Sequence, residues 1–315
     1  MYRVLIFVRI LVIGAAGAIG SFLVPQLRER GHDVVGTSRS PGRFEQLRAQ
    51  GADAIALDVL DAAAVREALA SVRPDAIVYE ATSLAELKDL KHFDRSFAPT
   101  NRLRTEGTDI LVAAAREAGV RRVVAQSFAC NRYIPEGGPV KTEDDPDDPN
   151  PPAAMRATVA AMAHLDRTVS GAGGIALRYG AFYGERDNAL VAAIRAGKFP
   201  IVGSGNGVWS HVHLADAAAA TVLAVERDGP GIYNVVDDEP AAIKVWLPEV
   251  ARIAGAKPPQ HFPAWIARLL AGEALVYMST ESRGASNAKA KRELGFTPKY
   301  PSWREGFAAA YAAAS

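Results

Sequence analysis

Residues 9–27 read RILVIGAAGAIGSFLVPQL, an apolar run that breaks on a glycine-rich turn and resumes with helical spacing. A strand that is apolar at every position is buried on both faces, as happens when helices cover both sides of a parallel sheet. The pattern recurs along the first half. Strands are expected at RILVI (9–13), DVVGTS (33–38), DAIALD (53–58), DAIVYEAT (75–82) and RRVVAQS (121–127). Helical stretches such as IGSFLVPQLRERG and TEGTDILVAAAREAG lie between them. Strands alternating with helices connect by right-handed crossovers, so the fold class is α/β with a doubly wound parallel sheet.

The glycine-rich turn carries the first functional reading. Gly14, Ala16, Gly17, Ala18, Ile19 and Gly20 leave the first strand and open a helix. Glycine allows a tight turn and a close backbone approach to a pyrophosphate, and a helix N-terminus offers unpaired N–H groups to the anion. A turn that merely packs helix on strand is the plainer alternative, but strand, spacing and helix together point to a dinucleotide. An NAD site usually has a carboxylate at the end of the second strand. Here the sequence is GTSRSPGR, and Ser38, Arg39 and Arg43 offer groups suited to a 2′-phosphate. NADP is therefore expected over NAD, with a solvated loop as the alternative. Asp58 and Val59 are candidates for the adenine, while Asp61 serves as well or better than Asp58 as the cap of the next helix. Ala81 and Thr82 end the fourth strand, where ligands of such sheets sit.

Beyond PEGGPVKTEDDPDDPNPP (135–152), a surface excursion, come a helix from Pro152, a strand GGIALRYG (173–180), a helix HLADAAAATVLAVE and a strand GIYNVV. A tail broken by prolines follows from about residue 237. The expected organisation is a dinucleotide-binding domain of residues 1–177 and 208–236, interleaved with a substrate lobe of 178–207 and 237–315. The 315 residues carry a net charge of +1, which argues against nucleic acid as a partner. The single Cys130 excludes an internal disulfide and fits a reducing cytoplasm. No run reaches the ~18 apolar residues of a membrane span, and residues 1–8 read as a leader outside the core. His211, His213 and Asp216 lie close together in sequence, but with no fourth ligand a metal is not expected.

Several segments, taken in order, resemble one family. They are GAAGAIG at 14–20, Asn101 in TNRLRTEGTDILVAAA, RRVVAQS ending in Ser127, and LRYGAFYG at 177–184. Val212, His213 and Asp216 in GNGVWSHVHLADAAAATVLAVE, then GIYNVVDDEP and SNAKAKRELGFTPKYPSWREGF, continue the match. The chain resembles the extended, atypical branch of the short-chain dehydrogenase/reductase superfamily, the NAD(P)-dependent epimerase/dehydratase family. The resemblance implies a Rossmann fold with a small C-terminal substrate lobe, a homodimer, and oxidoreductase, epimerase or dehydratase chemistry on a small polar or nucleotide-linked substrate.

It also implies a Tyr with a Lys four residues on, because hydride transfer at a carbonyl carbon needs proton transfer at its oxygen. Counting back from Arg178, those positions are Met155 and Val159, and no tyrosine in the chain is followed by Lys at that spacing. Three readings stay open. Ser127 with Tyr133 can form a relocated catalytic pair, with His213 as another acid. The substrate can drive the chemistry itself. Alternatively the protein is a non-catalytic NADP-binding sensor or scaffold. Ser83, Arg178, Tyr179, Trp209, His213 and Arg283 are the expected substrate contacts, Trp209 and Arg283 offering an aromatic face and a guanidinium.

Overall fold

The computed structural model describes residues 8–84, 91–120, 122–185 and 189–311. The expected leader, apart from Val8, and the first residue of the fifth expected strand, Arg121, lie outside these residues. Seven strands, β1 (Arg9–Ile13), β2 (Asp33–Ser38), β3 (Asp53–Ala56), β4 (Ala76–Tyr79), β5 (Arg122–Phe128), β6 (Ile175–Tyr179) and β7 (Gly231–Val235), form the central sheet. They pair in parallel in the order β3-β2-β1-β4-β5-β6-β7. This is the doubly wound sheet the alternation required. The order reverses between β1 and β4, and such a reversal opens a crevice at the carboxyl ends of the strands.

The helices of the first half are α1 (Gly20–Glu29), α2 (Phe44–Ala49), α3 (Ala62–Val72), α4 (Phe93–Arg102), α5 (Thr108–Glu117) and α6 (Arg156–Gly171). Then follow α7 (Ala189–Arg195), α8 (Leu214–Val225), α9 (Ile243–Ile253), α10 (Ala264–Ala271), α11 (Glu273–Thr280), α12 (Ala288–Leu294) and α13 (Trp303–Tyr311). Strand side chains alternate between two apolar layers. Ile10 and Val12 of β1 face α1 and α8, with Leu23, Val24, Ala218 and Val222. Leu11 and Ile13 face the other way, toward Val65 and Leu69 of α3, Leu111 of α5 and Leu165 of α6. Each such side chain removed from water contributes about 1.5–3 kcal/mol, so the sheet is held from both sides.

Residues 178–207 and 237–315 supply most of a third apolar cluster, in which Tyr183, Val191 and Ile194 meet Trp246, Trp303 and Phe307. Two strands end earlier than the sequence suggests, β3 at Ala56 and β4 at Tyr79. The residues that follow leave the sheet and line the crevice. Among the described residues no helix is long and apolar enough to cross a membrane.

Candidate active site

The carboxyl ends of β1 to β4 open onto one cavity of about 750 Å³. Gly14, Ala16, Gly17, Ala18, Ile19, Gly20, Ser38, Arg39, Asp58, Val59, Ala81 and Thr82 all line it. The loop is built around absent side chains. Gly14 has φ +91°, and a Cβ there would stand 2.8 Å from the carbonyl carbon of Glu80. A Cβ on Gly20 would stand 2.0 Å from the carbonyl oxygen of Ala15. No side chain caps α1, and no acid occupies its first turn, so its N-terminal end suits an anion. A cradle that a Cβ would fill, facing an uncapped helix end, fits the pyrophosphate of a dinucleotide.

Arg39 is exposed on the cavity wall, whereas Arg43 is not on that wall and bonds to Gln46 at 3.3 Å. Arg43 is thus a surface residue of the loop, and the expectation that it lines the site is corrected. Asp61, not Asp58, caps α3, accepting from the N–H groups of Ala63 and Ala64 at 3.0 Å each. Asp58 accepts the neighbouring Leu60 N–H in this turn, at 3.0 Å, and lines the cavity.

The expected catalytic and substrate residues stand elsewhere. Ser127 is fully buried on the α6 side of β5, where its Oγ accepts from Arg132 at 3.3 Å. Tyr133 is 1% exposed, donates to Asn234 Oδ1 at 2.9 Å and accepts from Arg178 at 3.3 Å. Burial raises its phenol above the ordinary value despite the nearby Arg178 and Arg132, the wrong direction for an acid at neutral pH. Arg178 donates to Asp166 at 2.8 Å, and Arg132 pairs with Asp166 and Asp147. Ser127, Tyr133 and Arg178 therefore belong to an internal ionic network, off the cavity wall. Tyr179 is fully buried and reaches Glu80 and Thr221 from behind.

His213 is a helix cap. Its Nδ1 accepts the Ala215 N–H at 3.1 Å at the start of α8, and burial lowers its pKa. Arg283 ties the 135–152 excursion to the C-terminal part by donating to the carbonyls of Pro135 and Glu281. Ser83 donates its N–H to Thr100 Oγ1 at 3.0 Å and is not on the cavity wall, although Thr82 and Leu84 are. Trp209 donates to the Met278 carbonyl at 3.0 Å and packs against the cluster that holds Met155. Among the described residues no three His, Cys, Asp or Glu are grouped to hold a metal.

Met155 is 1% exposed, among Phe93, Ala274, Tyr277 and Met278, and Phe97 stacks on Phe93 at 4.3 Å. Val159 is 5% exposed. Among the residues of the cavity wall that the sequence reading did not single out are two polar ones beside expected site residues, Glu80 and Gln126. Glu80, just past β4, shares the wall with Ala81, whereas Gln126 precedes Ser127 within β5, where strand alternation puts neighbours on opposite faces. Nothing in the sequence said which of Gln126 and Ser127 faced the crevice.

Residues 10–235 match the model of the NAD dependent epimerase/dehydratase family. The chain belongs to that family. The 3-diazoavenalumate denitrifying reductase of a Streptomyces species is 44% identical over 309 residues, 95% of this chain and 98% of that one. The UDP-glucose 4-epimerase of Thermus thermophilus, solved with NAD, is 26% identical, with 95% of this chain and 96% of that one covered and a TM-score of 0.71. The Thermotoga maritima UDP-glucose 4-epimerase, solved with UDP-glucose, shares the fold at a TM-score of 0.75 and 22% identity, over 96% of this chain and 97% of that one. A reductase at 44% identity favours an enzyme over a non-catalytic sensor, and the family's cofactor is a nicotinamide dinucleotide.

Proposed function

We propose that the protein is an NADPH-dependent reductase that replaces a diazo group on an aromatic acceptor with hydrogen, releasing dinitrogen. The observation that carries this reading is Met155, buried in an apolar and aromatic cluster where the resemblance expects the family's tyrosine. Reducing a carbonyl takes a hydride at carbon and a proton at oxygen, hence an acid. Exchanging a diazonium group for hydride breaks one C–N bond, forms one C–H bond and releases N2. The hydride cancels the cation's charge and no proton is consumed. A site without the Tyr–Lys pair suits the second reaction and not the first. The name of the Streptomyces relative, a denitrifying reductase of a diazo compound, supports the same chemistry.

Bound NADPH supplies the hydride. The glycine loop and the start of α1 hold the pyrophosphate, Ser38 and Arg39 the 2′-phosphate, and Asp58 with Val59 the adenine. Leu84, Leu103 and Phe182 add apolar side chains to the cavity wall, which limits water inside it. A cytoplasmic location accords with the buried, unpaired Cys130.

The test uses NADPH carrying deuterium at the transferred position and a carboxylated benzenediazonium salt. The expected product is the arene with deuterium at the former diazo carbon and one N2 per NADPH, at a rate above the protein-free control. Turnover of ketones or nucleotide sugars with no gain in the diazonium reaction would overturn the reading. The cofactor preference has its own check. Arg39→Ala is expected to weaken NADPH about 10- to 100-fold, the worth of a hydrogen bond to a charged group, and to leave NADH nearly unchanged. Tighter binding of NADH than NADPH by the unmodified protein rules out the NADP assignment.

A further inference from the structure

The cavity wall also carries a carboxyl group that the hydride chemistry leaves unused. Glu80 follows β4, is 6% exposed, and lines the cavity. Its Oε1 accepts from the Tyr179 hydroxyl at 3.1 Å. The Gln126 amide, turned so that both of its ends find partners, donates to Glu80 Oε2 at 2.9 Å. Tyr179 lies 2.6 Å from Thr221 Oγ1, which donates to the Ala217 carbonyl at 2.9 Å. This chain of hydroxyls serves Glu80 in either ionisation state. Ionised, the carboxylate accepts from Tyr179. Protonated, it donates to Tyr179, whose own hydrogen then turns to Thr221.

Tyr179 of β6 is the titratable group in contact with Glu80, and burial first, then the Glu80 charge, raises its phenol well above the ordinary value. Gln126 of β5 and Thr221 of α8 are neutral. The other ionisable residues on the cavity wall are Arg39 and Asp58, at the ribose and adenine end. Burial pushes the Glu80 carboxyl up to about 8, against the Tyr179 hydrogen bond. The group therefore holds its proton at neutral pH and can lose it when a positive charge enters the cavity.

We propose that Glu80 senses the charge of the nicotinamide, releasing its proton to solvent when the ring is cationic and keeping it when the ring is the neutral dihydro form. Loss of hydride from a dihydronicotinamide leaves a cation, and the carboxylate formed as the Glu80 O–H bond breaks offsets that charge. For a shift of about one pKa unit, at most about half a proton leaves for each hydride transferred. Glu80 thereby favours the oxidised dinucleotide and draws hydride donation forward. The inference rests on the cleft being a nicotinamide dinucleotide site, and not on the diazo acceptor.

The experiment is a titration of the whole protein with NADP+ and, separately, NADPH across about pH 6 to 9, read as the ratio of the two dissociation constants. Groups shared by both dinucleotides cancel in that ratio. The preference for NADP+ is expected to rise about tenfold between about pH 6.5 and 8.5 and then level off, as for a carboxyl shifted by about one pKa unit. Calorimetry in buffers of different ionisation heat should show proton release with NADP+ and none with NADPH. In Glu80→Gln both the slope and the released proton should vanish. In Tyr179→Phe, which removes a hydrogen bond favouring the carboxylate, the midpoint should move to higher pH. A flat ratio in the unmodified protein, or a slope that survives in E80Q, overturns the proposal. If neither the phosphorylated dinucleotides nor NAD+ and NADH, titrated in the same way, bind, the cleft reading fails and this proposal with it; binding with a flat ratio removes only the role of Glu80.

Discussion

Gly14→Ala is expected to raise the dissociation constant for NADPH by about 100-fold or more and to lower stability by about 2–4 kcal/mol. Two costs combine. At φ +91° an L-residue meets its own carbonyl, a penalty of about 1–2 kcal/mol. The new methyl would also stand 2.8 to 2.9 Å from the carbonyl carbon and oxygen of Glu80 and the nitrogen of Ala81. Those are main-chain atoms just past β4, and they cannot swing aside like a flexible side chain. The loop must lift off β4, which moves it into the cavity and misaligns the N–H groups meant for the anion. Gly119→Ala is the control, since Gly119 has φ +74° but nothing within 4 Å of an added Cβ. It should cost about 1–2 kcal/mol and leave NADPH affinity unchanged. Fluorescence titration with thermal denaturation reads both effects. Full affinity in the Gly14 variant would show that the loop does not cradle the dinucleotide.

Asp166→Ala is expected to lower stability by about 3–5 kcal/mol while leaving NADPH affinity within about twofold. Asp166 is 2% exposed and accepts from Arg132 and Arg178, both at 2.8 Å. Burial alone would raise its carboxyl, but the Arg132 and Arg178 guanidiniums prevail and hold it below the usual carboxylate range. Removing it strands two buried cations with a single carboxylate, Asp147, still bonded to Arg132. Because the folded pKa lies below the unfolded one, its contribution is complete above the unfolded value of about 4 and is lost as pH falls through the folded value. The variant should therefore show a weaker loss of stability on acidification than the unmodified protein. Denaturation midpoints at neutral and acidic pH give the comparison. A stable Asp166→Ala protein with a tenfold loss of NADPH affinity would return Ser127, Tyr133 and Arg178 to the binding site.

Ser127 and Gln126 are neighbours that sequence alone does not tell apart. Both sit in AQS at the end of β5, both are polar, and pleating sends one to each side of the sheet. The resemblance drew attention to Ser127, yet Gln126 reaches the crevice and Ser127 meets Arg132. Arg43 and Arg39 differ in the same way: four residues apart in one loop, only Arg39 turns to the cavity. Tyr133 looked like a spare phenol, but its environment of Asn234 and Arg178 is assembled from β7 and β6, more than forty residues downstream.

The sequence by itself determined the parallel sheet, the glycine cradle and the absence of any tyrosine with a lysine four residues on. Each rests on local physics: apolar runs too short and too uniform for one-sided strands, glycines where a Cβ has no room, and residue types that cannot carry a proton. Only the tertiary structure decided which polar side chains face the cavity and which neutralise one another inside. That choice depends on the desolvation and pairing of groups far apart in the chain, and no window of sequence contains both partners. Glu80 shows the difference, since YEAT predicts a strand end, while a carboxyl held by Gln126 and by a Tyr179 that is itself bonded to Thr221 exists only once β4, β5, β6 and α8 have packed.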